Sequence, residues 1–186
     1  MKLSEAFAKR HSHSGTIAQS PISLARLSDI LGHSMKIRPD GKRPHPSGGA
    51  LYPMECYVTA FAVDDLARAH HHYRPETHSL EQLWDLSTDD SLVTLMRTAP
   101  ECKNASALII LTAVWERSSM KYNNLAFEHA LIEAGHIGQN ILLAATALDL
   151  GARPFAAYAA DKIETVLDLD PEQEQPVYVI AIGNKE

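Results

Sequence analysis

The sequence predicts an α+β protein, on three observations. Residues 123–148 carry Phe127, Leu131, Ala134, Ile141, Leu142, Ala145 and Leu148 at helical spacing, with Ile137 or Gly138 on the same stripe. At about 1.5 Å per residue this helix spans about 40 Å, the width of a small domain. Ala107 to Val114 (ALIILTAV) is an unbroken apolar run, the mark of a strand buried on both faces. Strand and helix segments are interspersed without a regular βαβ alternation, which argues against a doubly wound sheet.

Taken in order, residues 2–9 form a short helix ending in Lys9-Arg10-His11-Ser12-His13-Ser14-Gly15. The Arg fork and the hydroxyls are donors suited to a phosphate, although the cluster taken alone reads first as a solvated loop. Ser20-Pro21-Ile22-Ser23 opens a second helix through Leu31, with Leu24, Leu27, Ile30 and Leu31 on one face. Residues 43–53, Arg43-Pro44-His45-Pro46-Ser47-Gly48-Gly49-Ala50-Leu51-Tyr52-Pro53, form a glycine loop. Paired glycines let a ligand approach main-chain N–H groups. No Lys-Ser or Lys-Thr follows them, so this is not a nucleotide P-loop.

Residues 55–63 read as a strand. The run His70-His71-His72 invites a metal. Alternate side chains of a strand point to opposite faces, however, so three neighbours cannot converge on one ion. Residues 80–86 and 92–96 read as helical turns. Residues 116–122 read as a reactive loop ahead of the long helix, which is expected to be buried and central. In it Ala130, Ala134, Gly135 and Gly138 allow a second backbone to approach closely, and Gly151 takes the left-handed C-cap position. His129, Glu133, His136 and Asn140 share one stripe, either a metal set or a buried polar stripe bonded to neighbouring backbone. The segment 152–157, a helix from Asp161 to Leu169 and a strand over 177–182 complete the chain.

A chain of 186 residues is one domain's worth, taken as residues 1–186. Net charge of −6 argues against nucleic acid as the main partner. No apolar run approaches the roughly 20 residues that span a bilayer, and no signal-peptide core is present. Cys56 and Cys102 show no paired spacing, so thiols in a reducing cytoplasm are expected.

These segments, in this order, resemble the FMN-dependent nitroreductase superfamily, and within it the SagB-type dehydrogenase branch that oxidises thiazolines and oxazolines to azoles. Lys9-Arg10-His11-Ser12 is similar to the superfamily's phosphate motif, and Pro46-Ser47-Gly48-Gly49-Ala50-Leu51-Tyr52-Pro53 to the branch's P-S-G-G-x-L-Y-P loop. Arg117 with Lys121-Tyr122 is similar to R-x-x-x-K-Y, and Glu133 through Asn140 to E-A-G-H-x-x-Q-N. Pro154-Phe155-Ala156-Ala157 stands where the superfamily's backbone meets the flavin ring. Ser14 replaces a basic residue common in relatives, and Ala50 an Asn common in the nitroreductases proper.

The resemblance implies a nitroreductase-like fold with a central mixed or antiparallel sheet flanked by helices, and an intertwined homodimer with flavin at the interface. It implies FMN held by Arg10, His11, Ser12, Ser14 and Lys185, and lined by Pro46, Ser47, Gly48, Gly49 and Arg117, with backbone donors at Ala156 and Ala157. Lys121 and Tyr122 are then the catalytic candidates, Tyr122 taking a proton and Lys121 orienting substrate or activating the phenol. No metal ligand is assigned. The expected activity is hydride transfer between an azoline-like or related small substrate and flavin. The alternatives are an NAD(P)H-dependent nitroreductase or quinone reductase, and a non-catalytic flavin-binding partner in a biosynthetic complex. Lacking the extra N-terminal portion of full-length azoline dehydrogenases, a chain this short is expected to take a smaller substrate.

Overall fold

In the computed structural model, residues 1–87, 91–96 and 102–186 are described. The elements, in chain order, are α1 (Leu3–Lys9), β1 (Ile22–Ser23), α2 (Leu24–Met35), β2 (Met54–Ala60), β3 (Val63–Asp64), β4 (Ala69–Arg74), β5 (Ser79–Asp85) and α3 (Leu92–Leu95). They continue with β6 (Ala107–Val114), α4 (Glu116–Tyr122), α5 (Leu125–Ala147), β7 (Leu150–Phe155), α6 (Ala160–Leu167) and β8 (Glu174–Asn184). Six strands form one sheet in the order β5-β4-β2-β6-β8-β7, each pair antiparallel, while β1 and β3 make a small parallel pair.

The apolar run of β6 sits at the middle of that sheet. Its Ala107, Ile109, Leu111 and Ala113 join the core under α2 and α5, and Leu108 and Ile110 join the core against α3 and α6. Period-two alternation thus feeds two cores from one strand. On the first face, Ser23 caps α2 by accepting the Arg26 amide at 3.3 Å. Leu27, Ile30 and Leu31 of α2 pack there with Ala130, Ala134, Ile137 and Ile141 of α5.

Four expectations are corrected. Residues 79–85 form the edge strand β5: Leu80 packs on one core and Leu83 on the other, so their three-residue spacing spans two sheet faces and is no helical stripe. Residues 116–122 form a helix, not a loop. The residue with left-handed φ after α5 is Asp149 at 58°, while Gly151 is already in β7. The long helix is buried on one side only, because Leu125, Phe127, Leu131 and Ile132 are exposed. Its Gly138 serves packing within the chain, since a Cβ there would lie 2.5 Å from the Tyr178 ring of β8. Cys56 and Cys102 are both buried and form no disulfide.

Candidate functional site

The glycine loop between α2 and β2 adopts strained backbone. Gly49, Ala50 and Tyr52 have φ of 62°, 56° and 48°, the left-handed region that side chains with a Cβ disfavour. The loop faces the end of α4. A Cβ built on Gly49 would lie 2.6 Å from the Tyr122 hydroxyl and 2.7 Å from Lys121 Nζ. Sequence neighbours on a helix normally diverge by a hundred degrees. Here α4 stops at Tyr122, because Asn123 leaves helical geometry (φ 47°, ψ −126°), and both side-chain ends converge on Gly49. Lys121 Nζ lies 5.3 Å from the Tyr122 ring centroid.

The His129 ring of α5 stands perpendicular to Tyr122 with centroids 4.4 Å apart. Its Nδ1 is buried without a hydrogen-bond partner and faces Gly48, on which a Cβ would lie 3.3 Å away. A missing Cβ and an orphaned polar atom together make a cradle in which a planar ligand with polar edges could lie.

Buried groups pin this loop from beneath. His45 Nδ1 is 3.0 Å from the Ser34 carbonyl of α2, and its Nε2 is 3.3 Å from Glu133 Oε1 of α5, out of line for a hydrogen bond. The Ser47 hydroxyl accepts the Tyr52 amide at 2.9 Å, and Arg117 donates to the Tyr52 carbonyl at 3.3 Å. Arg117 also pairs with Glu55, which meets His72 at 2.7 Å. Burial alone would raise the Glu55 carboxyl, but the His72 hydrogen bond and the Arg117 charge together outweigh it and hold it below the ordinary range.

A second polar cluster gathers at the far end of α5. Lys9, His11, His13, Asp149 and Lys185 line a cavity of about 380 Å³ that also touches Gly151 and Ala152. Lys185 Nζ pairs with Asp149 at 2.8 Å. That hydrogen bond and charge lower the Asp149 carboxyl. The His13 amide donates to the Ala152 carbonyl at 2.9 Å, and a Cβ on Gly151 would come within 3.0 Å of the His13 ring. Cationic and imidazole donors around an open space suit an anion such as phosphate.

Of the predicted site residues, His11 and Lys185 line this cavity, with Arg10, Ser12 and Ser14 on the same N-terminal segment. Ala156 and Ala157 are exposed just past the end of β7. Ser47, Gly48, Gly49, Arg117, Lys121 and Tyr122 form the other group, with Pro46 exposed at its edge. One chain does not bring the two groups together. His129 belongs to the first end of α5 and Thr146 lines the cavity at the other, about 25 Å along the helix.

The polar stripe of α5 also divides: Glu133 meets His45, a side chain and not backbone, while His136 is exposed. The three adjacent histidines alternate along β4, His70 against Thr59 and His72 against Glu55. Among the described residues no group of three or more His, Cys, Asp or Glu is placed to hold a metal. Likewise, no helix is long and apolar enough to cross a membrane. Sequence reading missed His13, Asp149, His129, Arg43 and Glu55 as site residues. His13 lay inside the N-terminal cluster, Arg43 at the head of the glycine loop and His129 on the polar stripe of the long helix; Asp149 and Glu55 carried no signal.

Comparison with known proteins identifies the family and the fold. The nitroreductase family profile matches residues 7–184. MJ1384, a candidate nitroreductase of Methanocaldococcus jannaschii, is 30% identical over 186 residues, covering 100% of this chain and 92% of its own. The microcin B17-processing protein McbC of Escherichia coli is 26% identical over 173 residues, covering 89% of this chain. The trifolitoxin-processing protein TfxB of Rhizobium leguminosarum is 29% identical over 150 residues, covering 76%. The chain spans 64% of McbC and 39% of TfxB. Its fold matches a chain of the E. coli microcin synthetase McbBCD complex with a TM-score of 0.86 at 23% identity, covering 100% of this chain and 73% of that one. A nitroreductase-type protein from Desulfovibrio desulfuricans in complex with FMN matches with a TM-score of 0.67 at 22% identity, covering 100% and 87%. With a profile match over nearly its whole length and a relative 30% identical across it, the chain belongs to the nitroreductase family.

Proposed function

We propose that residues 1–186 form one flavin-binding unit acting as an FMN-dependent dehydrogenase of the SagB type, on an azoline-like ring of a modified peptide or a related small substrate. The observation that carries this reading is the convergence of Lys121 Nζ and the Tyr122 hydroxyl on Gly49 in a strained loop. FMN, when bound, supplies a two-electron acceptor for hydride. The residues present fit it. Arg10, His11, Ser12 and Lys185 would hold the phosphate, with Ser14 beside them. The cradle at Pro46, Ser47, Gly48 and Gly49 would take the ring, flanked by Arg117. Amides at Ala156 and Ala157, about 13 Å along the strand from cavity-lining Ala152, would donate to it and steady developing negative charge. Aromatising an azoline also releases a proton from the neighbouring ring carbon. Tyr122, as the phenolate, would receive that proton and become the neutral phenol, and Lys121 would hold the substrate against the loop.

Two half-sites about 25 Å apart on one helix cannot close on one flavin within one chain. A homodimer that sets the glycine loop of one protomer against the phosphate cluster of its partner resolves this. The exposed Leu3 and Phe7 of α1, Met120 of α4 and Leu125, Phe127, Leu131 and Ile132 of α5 supply the apolar surface such a dimer needs. The multiprotein McbBCD neighbour supports a further biosynthetic partner.

The test is turnover of an azoline-containing peptide by Tyr122→Phe and Lys121→Ala. Each is expected to retain flavin and the wild-type melting temperature while the rate falls by about 10²-fold or more. Near-wild-type rates in both, with rapid NAD(P)H oxidation, would replace this reading with a simple reductase.

A further inference from the structure

We infer that the cavity behind the glycine loop is a carboxylate-binding site that recognises the substrate; the inference rests on the redox reading above and adds its substrate class. The cavity has a volume of about 370 Å³, enough for a small organic acid. Arg43, Tyr52, Glu55, Glu76 and Arg117 all line it.

Its three guanidinium groups are not equivalent. Arg74 is matched by Glu81 at 2.6 Å, on the exposed rim. Arg117 is matched by Glu55 and by the Tyr52 carbonyl. Arg43 is different: its side chain is only 9% exposed, and Nε and Nη1 are buried with no hydrogen-bond partner. Its ion pair with Glu76 is 4.0 Å long, to a carboxylate 60% exposed to water. The guanidinium lies 4.6 Å over the Tyr52 ring, which holds it in place but supplies no acceptor. A buried cation this poorly compensated gives the cavity a positive potential; Nε and Nη1 are sealed from its open space, so a bound anion would be met by Nη2, the nitrogen that faces Glu76.

The walls select which anion. Arg74 and Arg117 are each already matched by a carboxylate, so the walls leave about one positive charge, at Arg43, to be compensated, which suits a monoanionic carboxylate better than a dianionic phosphate. Leu51 and the Tyr52 ring offer apolar surface for the rest of the molecule. Position completes the assignment. Arg117 and Lys121 are one turn apart on α4, about 6 Å along its axis, and Leu51 and Tyr52 directly follow the Gly49–Ala50 pair. An acid anchored beside Arg43 therefore extends towards Lys121 and Tyr122.

Binding is measured by calorimetry on the flavin-loaded protein at low salt, with benzoate, neutral benzamide, hippurate and inorganic phosphate as probes. Benzoate is expected to bind about tenfold or more tightly than benzamide, the scale of a charge-assisted hydrogen bond. Arg43→Gln should abolish that preference. Glu76→Gln, at a position 60% exposed, should strengthen benzoate binding several-fold by removing the competing carboxylate. Hippurate binding above benzoate would name a peptide C-terminus as the source of the carboxylate, and the reverse a free aromatic acid. Equal binding of benzoate and benzamide, a Glu76→Gln variant no better than wild type, or phosphate outcompeting benzoate would each overturn the assignment. Because no turnover is read, an inactive protein that prefers benzoate sinks only the dehydrogenase reading. An active one without the preference sinks only this site.

Discussion

Gly49→Ala tests the geometry of the site at its tightest point. The new methyl group would start 2.6 Å from the Tyr122 oxygen and 2.7 Å from Lys121 Nζ, well inside van der Waals contact. Both atoms are side-chain ends, so they move by nearly an ångström while the backbone stays. The stability cost then comes mainly from placing a Cβ at φ 62°, about 1–2 kcal/mol. For a chain of this size that lowers the melting temperature by about 2–8 °C. The functional cost is larger, since an ångström of misplacement in a reacting group can cost about 10²-fold in rate. Ala50→Gly, one residue on and also at positive φ, is the control: it relieves strain without touching either side chain. Thermal melting and azoline turnover on the same preparations give both quantities. A Gly49→Ala protein with wild-type turnover, or one that loses turnover only in proportion to its unfolding, would refute the convergence of Lys121 and Tyr122 on this loop.

Gly138→Ala should cost about 1–3 kcal/mol in urea unfolding, because its Cβ would overlap the Tyr178 ring; an unchanged midpoint would show that the ring yields freely. Glu55 carries a folded-state pKa below its ordinary value, so its stabilising contribution is present above about pH 4.3 and is lost as pH falls further. Acid unfolding of Glu55→Gln should accordingly lack that part of the pH dependence, and identical acid limbs would contradict it. Mixing Lys185→Ala with Tyr122→Phe, each inactive alone, should recover about a quarter of wild-type activity once protomers exchange, since half the dimers would hold one intact composite site. No recovery despite proven exchange would place both half-sites in a single chain.

What could be read in the sequence was what periodicity and local chemistry determine. The eight residues of β6, all apolar but Thr112, require burial on both faces, and the sheet provides it with bounds that match the run. The long helix was legible for the same reason, but which of its faces lies bare was not. Phe127 and Leu131 share its apolar stripe yet are exposed, because helical spacing cannot say whether the same chain or another covers a face. Leu80 and Leu83 misled because a three-residue interval fits a helix stripe and opposite faces of an edge strand equally well. The motif residues Lys121, Tyr122 and Gly49 were each identifiable, whereas their meeting depends on how the end of α4 packs against the glycine loop. Arg43 and His72 were visible in the glycine loop and the histidine run, but their meeting with Glu55 left no trace, because strand register and a loop crossing join them, and no fixed spacing encodes either.

The distribution of backbone strain separates this loop from the rest of the chain. Among the described residues, seven non-glycine positions have positive φ: Ala50, Tyr52, Asp65, His78, Asn123, Asp149 and Asp168. Five of these are Asp, Asn or His, the types whose short polar side chains tolerate the left-handed region. Ala50 and Tyr52 have no such excuse, and each carries a cost on the order of 1–3 kcal/mol that the surroundings must hold in place. Those surroundings come from three separate helices: Ser34 of α2 and Glu133 of α5 through His45, and Arg117 of α4 through the Tyr52 carbonyl. A connection between a helix and a strand needs none of this to close. The same constraint does serve to hold Gly49 bare before Lys121 and Tyr122, with Tyr52 turned to roof the Arg43 cavity. Strain that local residue preferences oppose, fixed by three elements and spent on one pair of side chains, is the physical argument that the loop is kept for chemistry.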